Sequence, residues 1–565
     1  MNPRSSPEVL RNMAATGDDV SDPAAARIDV GFERLVQENQ ERNRRDLGKS
    51  YDYIVCGGGT AGCVVAARLA EDGSATVLLV EAGGDDEGDH ISRPQAWLSN
   101  LGSARDWALV AERSEALNGR APLLSAGKVI GGGSSINAMI WARGHREDWD
   151  GYAREVGDSG WSYASVLRIY RQIEDWHGVA DQRRGKGGRL FVQPVPDPSL
   201  VARAVLLAAD ISGVPVFEDA NGAMMEAGGG AALVNLRTRE GRRLSIYRSY
   251  LHPMMARRNL TVLTGAMVRR LTMTGATVTG VELETGGVGL KIEAGREVVL
   301  SLGALHTPKV LMLSGIGEKA ELGRLGIEVR RHLPGVGRNL QDHVLLRGCV
   351  WSSPAPVPFT DNGAEAAIYS KSDPALSSPD IHSLLVSAPV VTEEVRANLS
   401  GSVPSGWSLL PALVRPKSRG RVLLAGSSPS EPARVYWGAL TALEDLAALT
   451  SAVEFSRSIG NAGPLADFRL SEMLPGPLKG AERDAFIRNA ATSYWHQSGT
   501  ARMGLDEMAV VDSRLRVNGV SNLRIADASI FPSIPTGNTM APTVIVAERA
   551  AEMILADETR RAIAV

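Results

Sequence analysis

Tyr51-Asp52-Tyr53-Ile54-Val55-Cys56-Gly57-Gly58-Gly59-Thr60-Ala61-Gly62-Cys63 is the stretch that decides the fold. Its first six residues form a short apolar run suited to a parallel strand buried on both faces. Gly57, Gly59 and Gly62 then follow at GxGxxG spacing. The first allows a tight turn, the second lets the backbone approach a pyrophosphate, and the third lets helix pack closely on strand. Cys63 to Leu69 reads as helix, beginning near Ala61, with its amides and positive dipole end toward that phosphate. Thr76 to Glu81 reads as a second buried strand, and Glu81 closes it 24 residues after Gly57. A carboxylate placed there accepts ribose hydroxyls. Strand, glycine turn, helix and strand in this order make a βαβ unit and predict dinucleotide binding. Glu81 disfavours a 2′-phosphate, and so NADP. The motif leaves FAD and NAD both open.

The rest of the composition narrows the class. The chain has 565 residues, of which 44% are hydrophobic and 22% charged. That is ordinary globular composition and excludes a disordered or fibrous chain. Lys and Arg number 61 against 64 Asp and Glu, for a net charge of −3, so nothing electrostatic argues for nucleic acid. Cys56, Cys63 and Cys349 are too few for a disulfide framework and lack metal-ligand spacing, so neither a metal nor an oxidising compartment is expected. No apolar run approaches the ~18 residues that cross a bilayer, and the N-terminus has no signal-peptide apolar core. The expectation is a cytoplasmic protein.

Residues 1–50 read as an N-terminal extension. The part up to Ala26 lacks periodicity and is expected to be poorly ordered. Phe32 to Arg45 has the spacing of a solvated surface helix. Further on, 163–176 reads as helix and Asp181 to Arg189 as a charged glycine loop. Leu260 to Leu263 and Thr277 to Leu283 read as strands of a meander. Ser352 to Asp380 is Pro- and Ser-rich, and long irregular segments of this kind serve as functional loops or lids.

A second glycine-rich constellation runs Gly127-Lys128-Val129-Ile130-Gly131-Gly132-Gly133-Ser134-Ser135-Ile136-Asn137 and on to Arg143-Gly144. Its bare amides and small donors suit another part of a cofactor. With residues 51–83, with Gly303-Ala304-Leu305-His306-Thr307-Pro308 through Gly317, with Pro334 to His343, and with the run from Trp495 to Pro542, it resembles the ordered signatures of the glucose–methanol–choline (GMC) oxidoreductase family. The similarity spans about Tyr51 to Leu555.

This resemblance implies an α/β fold: a Rossmann-like doubly wound FAD-binding domain (51–165, 232–345 and 485–565) with an interleaved α+β substrate-binding domain (166–231 and 346–484). It implies FAD held by Gly57, Gly59, Thr60, Ala61 and Gly62, with Glu81 and Ala82 at the ribose and Val268 meeting the adenine. Gly131, Gly133, Ser134, Asn137, Ala138 and Met139 would line the isoalloxazine. Asp527 and Ala528 would meet the pyrophosphate, with Asn538 and Thr539 beside the flavin. In relatives with covalent flavin a histidine stands just before the asparagine; here that residue is Ile136, so the FAD should be non-covalent. The helix opening at Ala541 would point its positive end at the flavin.

For chemistry, the resemblance implies His496 as the base that removes the hydroxyl proton while hydride passes to flavin N5, with Asn538 orienting the oxygen. Imidazole titrates near neutrality, so the base ionisation is expected near pH 6 to 7 before environmental shifts. Tyr494 and Trp495 would wall the substrate pocket and favour an aryl or heteroaryl primary alcohol. O2 or another acceptor would reoxidise the flavin. Among the other histidines, His343 reads as structural, while His90, His145, His177 and His382 have no partner visible in the sequence. A flavin-containing lyase on the same scaffold and an NAD-dependent dehydrogenase are the competing readings. Nothing in the sequence fixes the oligomeric state.

Overall fold

The computed structural model describes residues 30–71, 73–397 and 405–564; the expected disorder up to Ala26 lies outside them. Its first sheet has seven strands, and its parallel part runs Leu260–Leu263, Val77–Val80, Ser50–Cys56, Val288–Leu300 and Leu523–Ile525. The chain winds to one side of Ser50–Cys56 and then to the other. The glycine turn therefore leaves the sheet at its topological switch point, where open α/β sheets bind ligands. Val77–Val80 is buried throughout, as a strand covered on both faces must be. An antiparallel hairpin, Ala266–Thr274 with Thr277–Thr285, extends the sheet from the first half of Val288–Leu300.

Helix Thr60–Ala70 starts directly after the turn. A Cβ at position 62 would stand 1.8 Å from the Gly57 carbonyl oxygen, so only glycine lets the helix sit this close. The C-terminal helix Met540–Ala564 packs against Thr60–Ala70.

The second sheet is antiparallel, in the order Ser471–Leu474, Val350–Ser352, Gly406–Leu413, Ile381–Val386, Ala364–Ser370, Gly230–Leu233. Val344–Leu346 joins it to Ala491–Ser493. Alternation along these strands sorts their side chains. Leu385 and Leu409 turn into a core shared with helices Leu200–Ile211 and Leu443–Gly460, whereas Leu384, Val386 and Leu410 turn toward a cavity between the two sheets.

Four expectations are corrected. Leu260–Leu263 is a parallel strand of the first sheet rather than part of the meander, because it pairs with Val77–Val80. The helix expected over 163–176 ends at Ile173, and Glu174–Trp176 forms a short strand; buried Glu174 turns out to pair with Arg143 and Arg184. The stretch from Ser352 to Asp380 is irregular only in part, since Ala364–Ser370 is a buried strand. The N-terminal helix, Val30–Arg45, is docked rather than simply solvated: Val36, Asn39 and Gln40 are buried.

Candidate active site

A cavity of about 560 Å³ runs between the sheets from the glycine turn to His496. Gly57, Gly59, Thr60, Ala61, Glu81, Ala82 and Val268 line one end; Tyr494, Trp495, His496 and Asn538 line the other. Gly133, Ser134, Asn137, Ala138, Asp527, Ala528 and Thr539 also reach the wall. Gly62, Gly131 and Met139 do not. Gly62 serves helix packing, as above. Gly131 donates its N–H to the Gly58 carbonyl at 2.7 Å, tying the two glycine segments together. Met139, in the left-handed region at φ 59°, donates its N–H to Asn137 Oδ1 at 2.9 Å.

Glu81 accepts from the Gly58 N–H at 2.8 Å and the Gly83 N–H at 2.7 Å, one on each oxygen. Burial nevertheless pushes its carboxyl up to about 7. Asp527 accepts from Gly303 N–H and Thr307 Oγ1 at 2.9 and 2.6 Å. Asn137 is held from behind by Arg243, which donates to its Oδ1 at 3.0 Å.

At the other end the chain assembles an imidazole relay. Asn538 Nδ2 lies 3.3 Å from His496 Nε2. An amide nitrogen only donates, so Nε2 must carry the lone pair and Nδ1 the proton. That proton faces His343 Nδ1 at 2.9 Å, which must then accept it, leaving the His343 proton on Nε2. The Val414 and Pro535 carbonyls favour a proton on that ring, although neither forms a hydrogen bond of normal geometry to Nε2. Tyr494 stacks on His496 at 4.7 Å and 27°. The His496 backbone N–H donates to Asp342 Oδ1 at 2.9 Å, and Ser493 Oγ donates to Asp342 Oδ2 at 2.5 Å.

Burial, reinforced by neighbouring His382, pushes His496 down to about 3. His343 is lowered well below the ordinary range by the same desolvation. Burial is also the largest influence on Asp342, raising it to about 7 against its hydrogen-bond donors. Burial is thus the environmental shift that acts on the expected 6 to 7 of His496: it favours the neutral imidazole, with the lone pair toward Asn538 and the cavity.

Two histidines were underread. His343, expected to be structural, touches the proposed base directly. His382, with no partner visible in the sequence, lies between Tyr369 at 4.5 Å and Tyr494 at 6.1 Å. The cavity also takes in Trp97 and Arg347, which stand in no motif. His343 alone carried a sequence signal, as the last residue of the run from Pro334.

The donor set fits FAD. Gly59, the N-cap of helix Thr60–Ala70, supplies no side-chain cap, so the first amides of the helix are free for an anion. A Cβ on Gly132 would lie 2.7 Å from Gly59 Cα; the two segments meet as bare backbone, and the Gly133 Cβ position opens on empty space. Ile136, also on the cavity wall, packs with Ile91 and Val129.

Two family models described as GMC oxidoreductase match the chain, over residues 51–345 and 416–547. The chain is 36% identical over 534 residues to the oxygen-dependent choline dehydrogenase of Sinorhizobium medicae, covering 89% of this chain and 95% of that one. It is likewise 36% identical to human mitochondrial choline dehydrogenase, covering 89% of each. Among solved structures, pyridoxine 4-oxidase from Mesorbium loti superposes with a TM-score of 0.85 at 35% identity, covering 89% and 98%. The chain belongs to the GMC oxidoreductases, FAD-dependent enzymes acting on CH–OH donors. No helix of the described residues is long and apolar enough to cross a membrane.

Proposed function

We propose that this GMC oxidoreductase converts an aryl or heteroaryl primary alcohol to the aldehyde, with His496 as general base and Asn538 as the group that orients the alcohol oxygen. The observation that carries the reading is the unprotonated Nε2 of His496, set beside Asn538 at 3.3 Å on the cavity wall. Glu81, Val268 and Asn137 would hold FAD along the cavity wall without a covalent link, and when bound it would supply a two-electron acceptor for the carbinol hydride. His496 Nε2 receives the hydroxyl proton, so the alcohol gives up one proton and one hydride and leaves as aldehyde. Asn538 Nδ2 donates to the same oxygen and holds it against Nε2. Tyr494, stacked on the imidazole, keeps its ring from tilting, and Trp495 and Trp97 offer aromatic walls to a planar substrate. A general base placed this way contributes on the order of 10²–10⁴ to the rate.

Anaerobic mixing with aryl, heteroaryl and aliphatic alcohols tests the reading. Bleaching of the flavin bands by ring-bearing primary alcohols, with aldehyde formed in equal amount, is expected; a holoenzyme that stays yellow with every alcohol overturns it. Readmitting air then separates an oxidase, which recovers its colour at once, from a dehydrogenase that needs another acceptor.

A further inference from the structure

Val344–Leu346 pairs antiparallel with Ala491–Ser493, and the ladder continues through the Arg347 N–H, which donates to the Ala490 carbonyl at 2.9 Å. Side chains two apart on a strand share a face, so His343, Leu345 and Arg347 look the same way. His343 meets the base, while Leu345 and Arg347 line the cavity. Arg347 stands ~13 Å along the strand from His343 at ~3.3 Å per residue. Its guanidinium lies 5.0 Å from the centre of the Trp495 indole. Trp495 is itself held in the left-handed region at φ 61°, a conformation that costs a bulky residue energy and commonly marks a functional site.

Arg347 is largely buried, yet among the described residues it has no carboxylate within ion-pair distance, and its guanidinium makes no hydrogen bond. Other buried arginines are either ion-paired or hydrogen-bonded: Arg143 and Arg184 share Glu174, while Arg237 donates to Ser249 and Arg243 to the Ile91 and Ser134 carbonyls and Asn137. Desolvation accordingly lowers Arg347 with nothing to oppose it. A second cation, Arg396, reaches the same cavity. It sits next to Val395, and a Cβ on Gly348 would be 3.4 Å from the Val395 side chain, so the two arginines lie on adjoining turns of chain. Glu394 faces Arg120 instead, and residues 398–404 contain no acid. The only carboxylates on the cavity wall among the described residues are Glu81 and Asp527, both occupied by backbone amides at the nucleotide end.

Resting on the alcohol-oxidation reading above, we infer that this enzyme selects primary alcohols whose far end carries a carboxylate, with Arg347 as the counter-ion and Arg396 at the rim. The alcohol end lies at His496 Nε2 and the apolar body lies along Trp495. A guanidinium left unpaired in a desolvated site gains a bidentate, charge-assisted partner when such a substrate enters. A quaternary ammonium alcohol meets two cations and no free carboxylate, a mismatch that selects against it.

The test compares 4-(hydroxymethyl)benzoate, its methyl ester and the 4-trimethylammonio analogue on the holoenzyme. The acid is expected to exceed the ester in kcat/KM by about 10- to 100-fold, the effect of one charge-assisted hydrogen-bond pair, with the cation poorest. In Arg347→Met the acid-to-ester ratio should collapse toward one, and Arg347→Lys should keep part of it. A variant-free measurement accompanies these: benzoate should inhibit wild type at least about 10-fold more tightly than benzamide. An ester oxidised faster than the acid, a ratio unchanged in Arg347→Met, or benzoate no tighter than benzamide overturns the inference while leaving alcohol oxidation standing. If none of the three alcohols bleaches the flavin, the aryl-alcohol reading falls and this inference falls with it.

Discussion

His343 Nδ1 lies 2.9 Å from His496 Nδ1, the two rings meeting edge to face at 86°. One of two facing nitrogens must donate and the other accept, so the contact ties the two tautomers together. With Asn538 donating to the far nitrogen, the arrangement consistent with both contacts of His496 puts its lone pair on Nε2, facing Asn538 and the cavity. His343 is thus a positioning residue. His343→Ala should slow anaerobic flavin reduction by about 10- to 100-fold, as loss of an orienting hydrogen bond does, with FAD content unaltered. His343→Gln, which restores an acceptor, should recover part of the rate. Equal rates in wild type and His343→Ala would show that the base needs no such support.

His496→Ala should retain FAD and lose about 10²–10⁴ in reduction rate, whereas Asn538→Ala, which removes a hydrogen bond and no proton acceptor, should lose less. The pH profile separates the buried base from an ordinary one. A base works in its neutral form, so its activity is present above its pKa and lost as pH falls through it. Held down to about 3, His496 stays neutral over pH 5 to 6.5, and the rate there should be level. Asp342, raised to about 7, is the group expected to titrate next to it. A fall in rate with a midpoint between 6 and 7 that persists in Asp342→Asn would mean that His496 itself is protonated there.

Glu81 has two duties that one substitution can divide. It ties the Gly58 and Gly83 amides at 2.8 and 2.7 Å, and it offers its remaining lone pairs to the cavity. Glu81→Ala should leave most of the purified protein without FAD and lower the thermal midpoint, since two buried amides lose their acceptor at about 1–3 kcal/mol each. Glu81→Gln keeps one acceptor oxygen and should fall between. Full flavin content in Glu81→Ala would remove this residue from the cofactor site.

Ile136 lines the cavity where a covalent attachment would need a nucleophile, and its side chain packs against Ile91 and Val129. Acid precipitation should therefore release all the yellow colour into the supernatant. Flavin retained in the washed pellet would point to attachment elsewhere on the wall.

What the sequence made legible was local. Gly57 to Glu81 could be read because turn, helix and strand follow within one short segment, and each glycine answers a steric demand of its neighbours. The relay could not, because His343 and His496 stand 153 residues apart and meet through the pairing of Val344–Leu346 with Ala491–Ser493, which no local pattern encodes. Arg347 was invisible for the same reason. Its face is set by strand register, and a lone arginine has no motif. The sequence offered only the unperturbed imidazole as a reference for His496; the size of its environmental shift depends on burial and on His382 nearby, which no local pattern encodes. Leu260 to Leu263 was placed in the wrong part of the sheet because a four-residue apolar run does not state which strand it will pair with.

The N-terminal helix gives the last test. Gln40 donates to the Leu260 carbonyl at 3.0 Å and accepts from the Val262 N–H at 2.9 Å, while Asn43 adds a second donor to the same carbonyl at 2.9 Å. Leu260–Leu263 is the outer strand of the parallel sheet, and an uncovered edge of this kind invites pairing with another chain. The helix therefore blunts the edge with side-chain amides that mimic a neighbouring strand. Gln40→Ala leaves the Val262 N–H buried without an acceptor and should cost about 1–3 kcal/mol. Removing residues 1–46 takes away the whole cover, and the truncated protein should melt earlier and aggregate faster on warming. No described residue of the helix lines the cavity, so FAD per molecule in the soluble fraction should match the full chain. Flavin loss without any change in melting or aggregation would show that the extension acts on the cofactor site instead of on the sheet edge.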